Sequence, residues 1–299
     1  MPDAKHLIQG WDDSANQILK QEIMKLGVQE KDIQFITERK SRSVILNKYF
    51  KTVPQHYKYI FLYDSDIVLD GSNFVKSLVE DMEFDSQIGA AIIPAFQFAE
   101  NEIPLKLEAP MANAKENYLR NVNFLTTFNV IVFRRSLLNK GQLFDEDIYG
   151  SQIIDVSTGY IINKMGYSIV SDLRHCLAHK QSDFVGKNLC YHAIVSRNRQ
   201  ILREKILLGD NWVSIDDYNE KHQDSRIPSV EELSHMSEPK MIEYVCNYDA
   251  HGFANCYLGP RFKDLNTINN YYNSMMGIKN KTPDKYKFVM SAEGWGFGI

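Results

Sequence analysis

Short apolar runs alternate with longer amphipathic segments along the first 210 residues of the chain. The apolar runs are too short for core helices and predict buried strands, whereas the amphipathic segments have the spacing of helices packed on a sheet. An alternation of strands and helices is typical of a mostly parallel α/β sheet. The predicted strands cover residues 6–10, 33–37, 59–66, 89–98, 124–133 and 167–171. The predicted helices cover residues 15–26, 39–51, 74–82, 151–165 and 190–208.

The strand that starts at Tyr59 leads into the acidic tripeptide Asp64-Ser65-Asp66. Because side chains alternate along a strand, we expect both aspartates on one face, at the carboxyl end. Ligands of open α/β sheets bind at that edge. Neighbouring carboxylates repel each other unless a cation or ligand hydroxyl groups hold them, and Mg²⁺ or Mn²⁺ takes oxygen ligands and bridges phosphates. The tripeptide therefore predicts a site for a metal ion and a diphosphate.

The character of the chain changes after Gly209. The following segment is polar and contains Pro228 and Pro239, and helical spacing returns at residues 241–248 and 266–276. We therefore expect one domain over residues 1–210 and a mainly helical accessory segment over residues 211–299. The arginines of the preceding helix are predicted to form a solvated face; they are Arg197, Arg199 and Arg203.

Composition and charge narrow the class of protein. The chain has 299 residues and a net charge of −4, so no broad polyanion-binding surface and no nucleic-acid partner are expected. Its four cysteines form no C-x-x-C pair, which favours free thiols in a reducing compartment. The first residues lack the apolar core of a signal peptide, and no stretch reaches the ~20 apolar residues that span a bilayer. A cytoplasmic protein is expected, with peripheral membrane contact and homo-oligomerisation left open.

Two further clusters of charge precede the acidic tripeptide. Asp12-Asp13-Ser14 follows the first predicted strand, and it can cap the next helix or contact a nucleotide base or ribose. The helix predicted at residues 39–51 begins with basic residues, among them Arg42, which can face phosphates or form a solvated helix end. The residues alone leave both pairs of alternatives open.

Three blocks in fixed order resemble the nucleotide-sugar glycosyltransferases of the GT-A fold, in particular the large family 2 group. Residues 59–66 resemble that family's strand ending in a D-x-D motif, and residues 144–146 resemble its F-D-E loop. Asp155, the later Gly166-Tyr167 and His179 resemble its E-D helix, its G-Y strand start and its late histidine. Asn47 resembles the asparagine of the helix before the D-x-D strand. The resemblance extends over roughly residues 6–185.

The resemblance implies a Rossmann-like GT-A sheet flanked by helices and a sugar nucleotide bound through Mn²⁺ or Mg²⁺. Asp66 would bind the metal directly, and Asp64 would hold ribose hydroxyls or a metal-bound water. His179 would bind the metal or the phosphates, unless it is structural. Asp155 would be the general base that activates an acceptor hydroxyl, giving inversion at the anomeric carbon; without the family match it would be an ordinary first-turn acid of a helix.

The remaining candidate residues follow from the same resemblance. Asn47, with Asp12 and Asp13, would contact the nucleotide. Asp145 and Glu146 would shape the pocket for a glycan or glycoconjugate acceptor, or simply solvate a loop. Tyr149 would stack on a sugar ring, or pack as an ordinary rim residue.

The chain departs from the family pattern at two places. Ile154 stands where the family has the glutamate of its E-D pair, and the start is short. Either Asp12-Asp13-Ser14 is the family's acidic turn and the usual first strand and helix are missing, or residues 6–10 are the first strand of a compacted version. Two other functions therefore stay open. One is a nucleotidyltransferase acting on sugar phosphates, although no glycine-rich phosphate loop is visible near the N-terminus. The other is a non-catalytic carbohydrate-binding or partner-binding protein on the same scaffold.

Overall fold

The structure is a computed structural model that contains two compact units. It describes residues 3–10, 12–38, 40–98, 107, 109–116, 118–122, 129–150, 153–180, 189–252, 290–291 and 294–295. The first unit comprises Met1–Asp145 and Ile154–Gln181, and the second comprises Glu146–Ile153 and Ser182–Ile299. The predicted helix at 266–276 lies outside the described residues, as do Arg39 and residues 124–128 of the predicted strand 124–133.

The first unit is built around a seven-stranded sheet with the order β2-β1-β3-β8-β5-β9-β7. Its strands and those of a smaller sheet are β1 (Ala4–Gln9), β2 (Ile33–Ile36), β3 (Tyr59–Asp64), β4 (Ile67–Leu69), β5 (Ile88–Ile92), β6 (Ala95–Phe98), β7 (Leu119–Asn121), β8 (Val130–Arg134), β9 (Ser168–Asp172) and β10 (Leu177–Lys180). Its helices are α1 (Asp13–Lys25), α2 (Arg42–Thr52), α3 (Phe74–Phe84) and α4 (Ile154–Lys164).

Strand direction in the large sheet is mixed. Strand β1 runs parallel to β2 and β3, and β5 runs parallel to β9, whereas β8 is antiparallel to both of its neighbours and β7 is antiparallel to β9. Five of the seven strands therefore point the same way, and β8 and β7 point the other way. This arrangement confirms the predicted fold class, a mostly parallel α/β sheet flanked by helices.

Strand β3 lies at the centre of the core, as its apolar sequence predicts. Residues 59–63 are almost completely buried. On the neighbouring β1, the His6 ring stacks on Phe61 with 4.8 Å between ring centroids, and its Nδ1 lies 2.8 Å from the Tyr63 hydroxyl. Burial lowers the pKa of His6 to about 3, so this histidine is a neutral core residue.

A second sheet of three strands, in the order β4-β10-β6, adjoins the end of β3 in sequence. The predicted strand at 89–98 is divided between the two sheets as β5 and β6, with Pro94 in the break. Strand β10 pairs antiparallel with β4, and His179 lies opposite Ile67. The small sheet therefore carries His179 to the position next to the acidic tripeptide.

Local sequence signals account for most helix ends. The Asp12 side chain accepts hydrogen bonds from the backbone N–H groups of Ser14 and Ala15, at 2.9 and 3.2 Å, and thereby caps α1. Gly27 and Gly166 follow α1 and α4 with φ values of 90° and 84°, a backbone conformation that favours glycine. Helix α2 begins at Arg42, three residues after the predicted start.

The second unit is mainly helical in its described residues. Its elements are α5 (Leu189–Leu208), α6 (Ile215–Lys221), α7 (Val230–Ser234), α8 (Glu238–Gly252), β11 (Met290–Ser291) and β12 (Gly294–Trp295). A small apolar core of Ala193, Leu233, Met241 and Val245 joins α5, α7 and α8. Helix α5 thus packs with the C-terminal helices, although it precedes the domain boundary expected at residue 210.

The prediction of a solvated arginine face on α5 is wrong for Arg197. That side chain is 8% exposed, and its guanidinium donates to the carbonyl groups of Pro228 and Asp147, at 2.8 and 2.9 Å. Arginine was assigned to the surface because periodicity alone does not show that a guanidinium can be buried when backbone carbonyls satisfy it. In the part of the chain that the structure describes, no helix has the length and apolarity needed to cross a membrane.

Candidate active site

The acidic tripeptide forms the turn between β3 and β4. Asp64 is the last residue of β3, and its carboxylate forms an ion pair with the guanidinium of Arg42 at the start of α2. The two side chains are 18% and 13% exposed, respectively. Burial raises the pKa of Asp64, and the positive charge of Arg42 opposes that rise. Arg42 is therefore not a solvated helix end, and its guanidinium charge is shared with the Asp64 carboxylate.

Asp66 has a different partner. Its Oδ2 atom lies 3.3 Å from Nε2 of His179, which projects from β10. Burial acts to raise the pKa of Asp66, but the hydrogen bond and charge of His179 outweigh it and the net shift is downward. The hydrogen bond that His179 donates to the Asp66 carboxylate raises the pKa of His179. The carboxylate is half exposed, so its remaining coordination sites face solvent.

These contacts change the electrostatic picture drawn from the sequence. Both aspartates were expected to share one face and to need a cation because they repel each other. Each carboxylate has its own basic partner, Arg42 for Asp64 and His179 for Asp66, and the charge of Asp66 still acts to raise the pKa of Asp64. Asp64 is consequently compensated without a cation, and Asp66 is the better placed of the two to bind one.

Asp155 belongs to the first turn of α4 and lies within electrostatic range of the same cluster. Burial raises its pKa to about 6; the backbone N–H of Val156 and the charge of Arg42 act against the rise, and Asp64 adds to it. Val156 donates to Oδ1 of Asp155 at 2.9 Å. Ile153, just before the helix, has a φ of 69°, a strained value for a β-branched residue of a kind that clusters at functional sites.

The donor set around Asp66 fits a divalent cation that is shared with a substrate. The carboxylate of Asp66 and Nε2 of His179 are close enough to touch one ion, and Mn²⁺ accepts both oxygen and imidazole ligands. No group of three or more His, Cys, Asp or Glu residues suited to a metal occurs among the described residues. Such a cation would need oxygen atoms from elsewhere, and phosphates commonly supply them.

Asn47 is engaged with the loop that carries the F-D-E residues. Its Nδ2 donates to the carbonyl of Phe144 at 2.7 Å, and its Oδ1 accepts from the Phe144 N–H at 3.2 Å. The side chain is 5% exposed. Both polar atoms of the amide therefore hold the backbone of Phe144, and a nucleotide contact by Asn47 stays a prediction.

The structure places the other predicted residues as follows. Asp12 caps α1, and Asp13 is exposed in the first turn of that helix. Asp145 ends the first segment of the first unit, whereas Glu146 and Tyr149 belong to the second unit. Tyr149 is 44% exposed, and Asn198 of α5 hydrogen-bonds to both its N–H and its carbonyl, at 3.0 and 2.7 Å. Their roles at an acceptor site remain predictions.

A polar network that the sequence did not reveal fixes the far end of the β4–β10 pair. Asp70 accepts from Cys176 N–H at 3.1 Å and from the hydroxyl of Ser72 at 2.5 Å. The same hydroxyl lies 2.6 Å from Nδ1 of His175. Cys176 itself is a buried free thiol. The contacts of Asp70 with Cys176 and of Ser72 with His175 join residues about a hundred positions apart in the chain, so no local sequence pattern could have identified them. The network holds the register of β4 and β10 that sets His179 against Asp66.

No family model matches the chain, and no curated protein sequence matches it significantly. Solved structures that are distantly similar in fold include the following three. GalNAc-T7, solved with UDP, GalNAc and Mn²⁺, is 11% identical with a TM-score of 0.43; the match covers 82% of this chain and 58% of that protein's chain. The catalytic domain of Drosophila β1,4-galactosyltransferase 7 with xylobiose is 14% identical, covering 62% and 73%, with a TM-score of 0.40. Residues 1–349 of S. aureus TarS are 8% identical, covering 100% of both chains, with a TM-score of 0.42.

Proposed function

We propose that the protein is a metal-dependent glycosyltransferase of the GT-A type that moves a sugar from a nucleoside-diphosphate sugar to a hydroxyl acceptor, with inversion. The observation that carries the proposal is the cluster at the end of β3. There Asp66 faces His179, Asp64 is paired with Arg42, and Asp155 lies within the electrostatic reach of that pair. Two acids at a strand end, Asp64 and Asp66, can serve the nucleotide and its metal, while the separate carboxylate of Asp155 can serve as a base, which is the division of roles that glycosyl transfer needs.

Asp66 and His179 would hold the divalent cation, which, when bound, neutralises the charge of the departing diphosphate. Arg42 is a fixed positive charge beside the same turn and would add to the attraction for phosphates, while it opposes the rise in the pKa of Asp64. Asp64 is then an acceptor for ribose hydroxyls rather than a metal ligand, since its carboxylate is already compensated.

Asp155 would accept the proton of the acceptor hydroxyl as that oxygen attacks the anomeric carbon. A general base works best when its pKa lies near the operating pH, and burial brings the pKa of Asp155 to about 6. The proton moves from the acceptor oxygen to a carboxylate oxygen of Asp155. Attack opposite the leaving diphosphate gives the inverted product. The absent glutamate at Ile154 leaves this proton transfer to Asp155 alone.

The test is turnover of a panel of sugar nucleotides with Mn²⁺, with Mg²⁺ and with a chelator. We expect release of nucleoside diphosphate that requires the cation and is lost in Asp66→Ala and Asp155→Asn, with the folded state intact by circular dichroism. Asp216→Asn is the matched control, because it changes an exposed acid of α6 that has no predicted role at the site. Release of pyrophosphate from a nucleoside triphosphate would instead indicate a nucleotidyltransferase. Binding without turnover would indicate a non-catalytic carbohydrate-binding protein.

A further inference from the structure

The turn that carries the two aspartates packs against the end of β1 so closely that only a glycine fits there. A Cβ atom added to Gly10 would lie 1.9 Å from Oγ and 2.4 Å from Cβ of Ser65. Non-bonded carbon atoms prefer separations of about 3.5–4.0 Å. The φ of Gly10 is outside the left-handed region, so space rather than backbone conformation requires the glycine.

Hydrogen bonds hold both sides of this contact in place. Ser65 donates its N–H to the carbonyl of Gln9 at 3.0 Å, and Gly10 donates to the carbonyl of Ile36 at 3.3 Å. Asn16, which is 1% exposed, donates its Nδ2 to the carbonyl of Gly10 at 3.0 Å. Gly10 therefore cannot move away from β3 to admit a larger side chain without breaking bonds to β2 and α1.

Ser65 is the residue between the two functional carboxylates. A shift of Ser65 by the ångström or more that a Cβ at Gly10 would demand has to move Asp64, Asp66 or both. Asp66 and His179 are only 3.3 Å apart, and Asp64 is ion-paired with a partly buried arginine, so a displaced carboxylate would lose its basic partner.

We propose that Gly10 is a positioning residue of the candidate site: its missing side chain seats Ser65 and thereby sets the Asp64 and Asp66 carboxylates against Arg42 and His179. The cation-related part of this inference rests on the proposed glycosyltransferase function, whereas the seating of Ser65 does not.

The seating is tested by a set of variants measured by thermal unfolding without added metal. Gly10→Ala should lower Tm by roughly 3–10 °C, since overpacking of this kind is strongly destabilising. Adding Ser65→Gly removes the two closest of the three clashing atoms, leaves only the side-chain Oδ1 of Asn16 at 2.7 Å, and should recover most of the loss. Adding Ser65→Ala instead leaves Cβ at 2.4 Å and should recover little. Equal recovery in the two double variants, or none in either, would overturn the seating. Should Gly10→Ala not fold, the double variants alone decide.

The effect on the site is tested by Mn²⁺ titration followed by electron paramagnetic resonance. Gly10→Ala should weaken Mn²⁺ binding roughly tenfold or more, as changes behind a metal ligand typically do. The matched control is Gly89→Ala, whose Cβ would meet Cβ of Tyr167 at 2.7 Å in another part of the sheet. It should lower Tm and leave Mn²⁺ binding unchanged.

The two proposals fail in different ways. If the wild-type protein bound no Mn²⁺ and turned over no sugar nucleotide, the proposed function would fall, while the unfolding series would still judge the seating of Ser65. If wild-type binding were normal and Gly10→Ala bound Mn²⁺ equally well, the positioning role would fall and the proposed function would stand.

Discussion

Replacing Asp155 with asparagine should stabilise the folded protein at neutral pH while it removes activity. The pKa of this carboxyl rises from its ordinary value of 3.8 to about 6 on folding, chiefly because of burial. A raised pKa means that the folded state binds the proton of Asp155 more tightly than the unfolded state does, so the protonated carboxyl stabilises the fold. This contribution to the free energy of unfolding is full below about pH 4 and is lost as the pH rises through 6. Two pKa units correspond to about 3 kcal/mol. Because Asp155 is only partly buried, we expect Asp155→Asn to raise the free energy of unfolding by roughly 1–2 kcal/mol at pH 7.5.

Asparagine keeps an oxygen that can accept from the Val156 N–H, so the substitution removes the charge and little else. Thermal unfolding at pH 4.5, 6 and 7.5 is the assay, with Asp13→Asn as the control for a general change of charge. Asp155→Asn should raise Tm by roughly 2–8 °C at pH 7.5 and by much less at pH 4.5. A Tm gain that is independent of pH, or a loss at pH 7.5, would refute the reasoning about this buried charge.

Three further predictions concern the same site. If Asp155 is the base, kcat/KM should fall about tenfold per unit below pH 6, measured as nucleotide release; a flat profile down to pH 5 would exclude it. Arg42→Met should lower the free energy of unfolding in urea by roughly 2–4 kcal/mol, because it leaves the partly buried Asp64 carboxylate without its partner; Lys40→Met, at an exposed position, should change it very little. Asn47→Ala should cost about 1–2 kcal/mol and speed proteolysis near Phe144, whose backbone it holds; unchanged proteolysis would remove that role.

Local signals were sufficient for most of the fold. The run at Tyr59 is apolar on both faces, which only a central strand can bury, and β3 is indeed at the centre of the core. Gly166 marked the end of α4, because a residue with positive φ there favours glycine. Asp12 signalled the start of α1 by the capping chemistry that the structure shows.

Strand direction could not be read in the same way. The run of β8 has the same buried apolar character as that of β5, and nothing in its residues shows that it enters the sheet antiparallel. Direction follows from how the connecting segments cross the sheet, which is a property of the whole chain. The division of residues 89–98 between two sheets has a similar origin, although Pro94 could have suggested a break.

The site residues expected from the sequence stay predictions, and the basic partners of the two aspartates were not foreseen. The acidic tripeptide points to a cation, and its own sequence does not show that Arg42 already compensates Asp64. That pair joins residues 22 positions apart. Arg197 was misassigned for the same reason, since the carbonyls that satisfy it come from Asp147 and Pro228, at 50 and 31 residues' distance.

The most direct measurement is a crystal structure of the protein with Mn²⁺ and a nucleoside diphosphate, in which anomalous scattering locates the metal. The account predicts a manganese peak in contact with Oδ2 of Asp66 and Nε2 of His179, with the diphosphate completing its coordination and Asp64 still paired with Arg42. A peak bound elsewhere, or an Asp66 carboxylate turned away from the nucleotide, would contradict it.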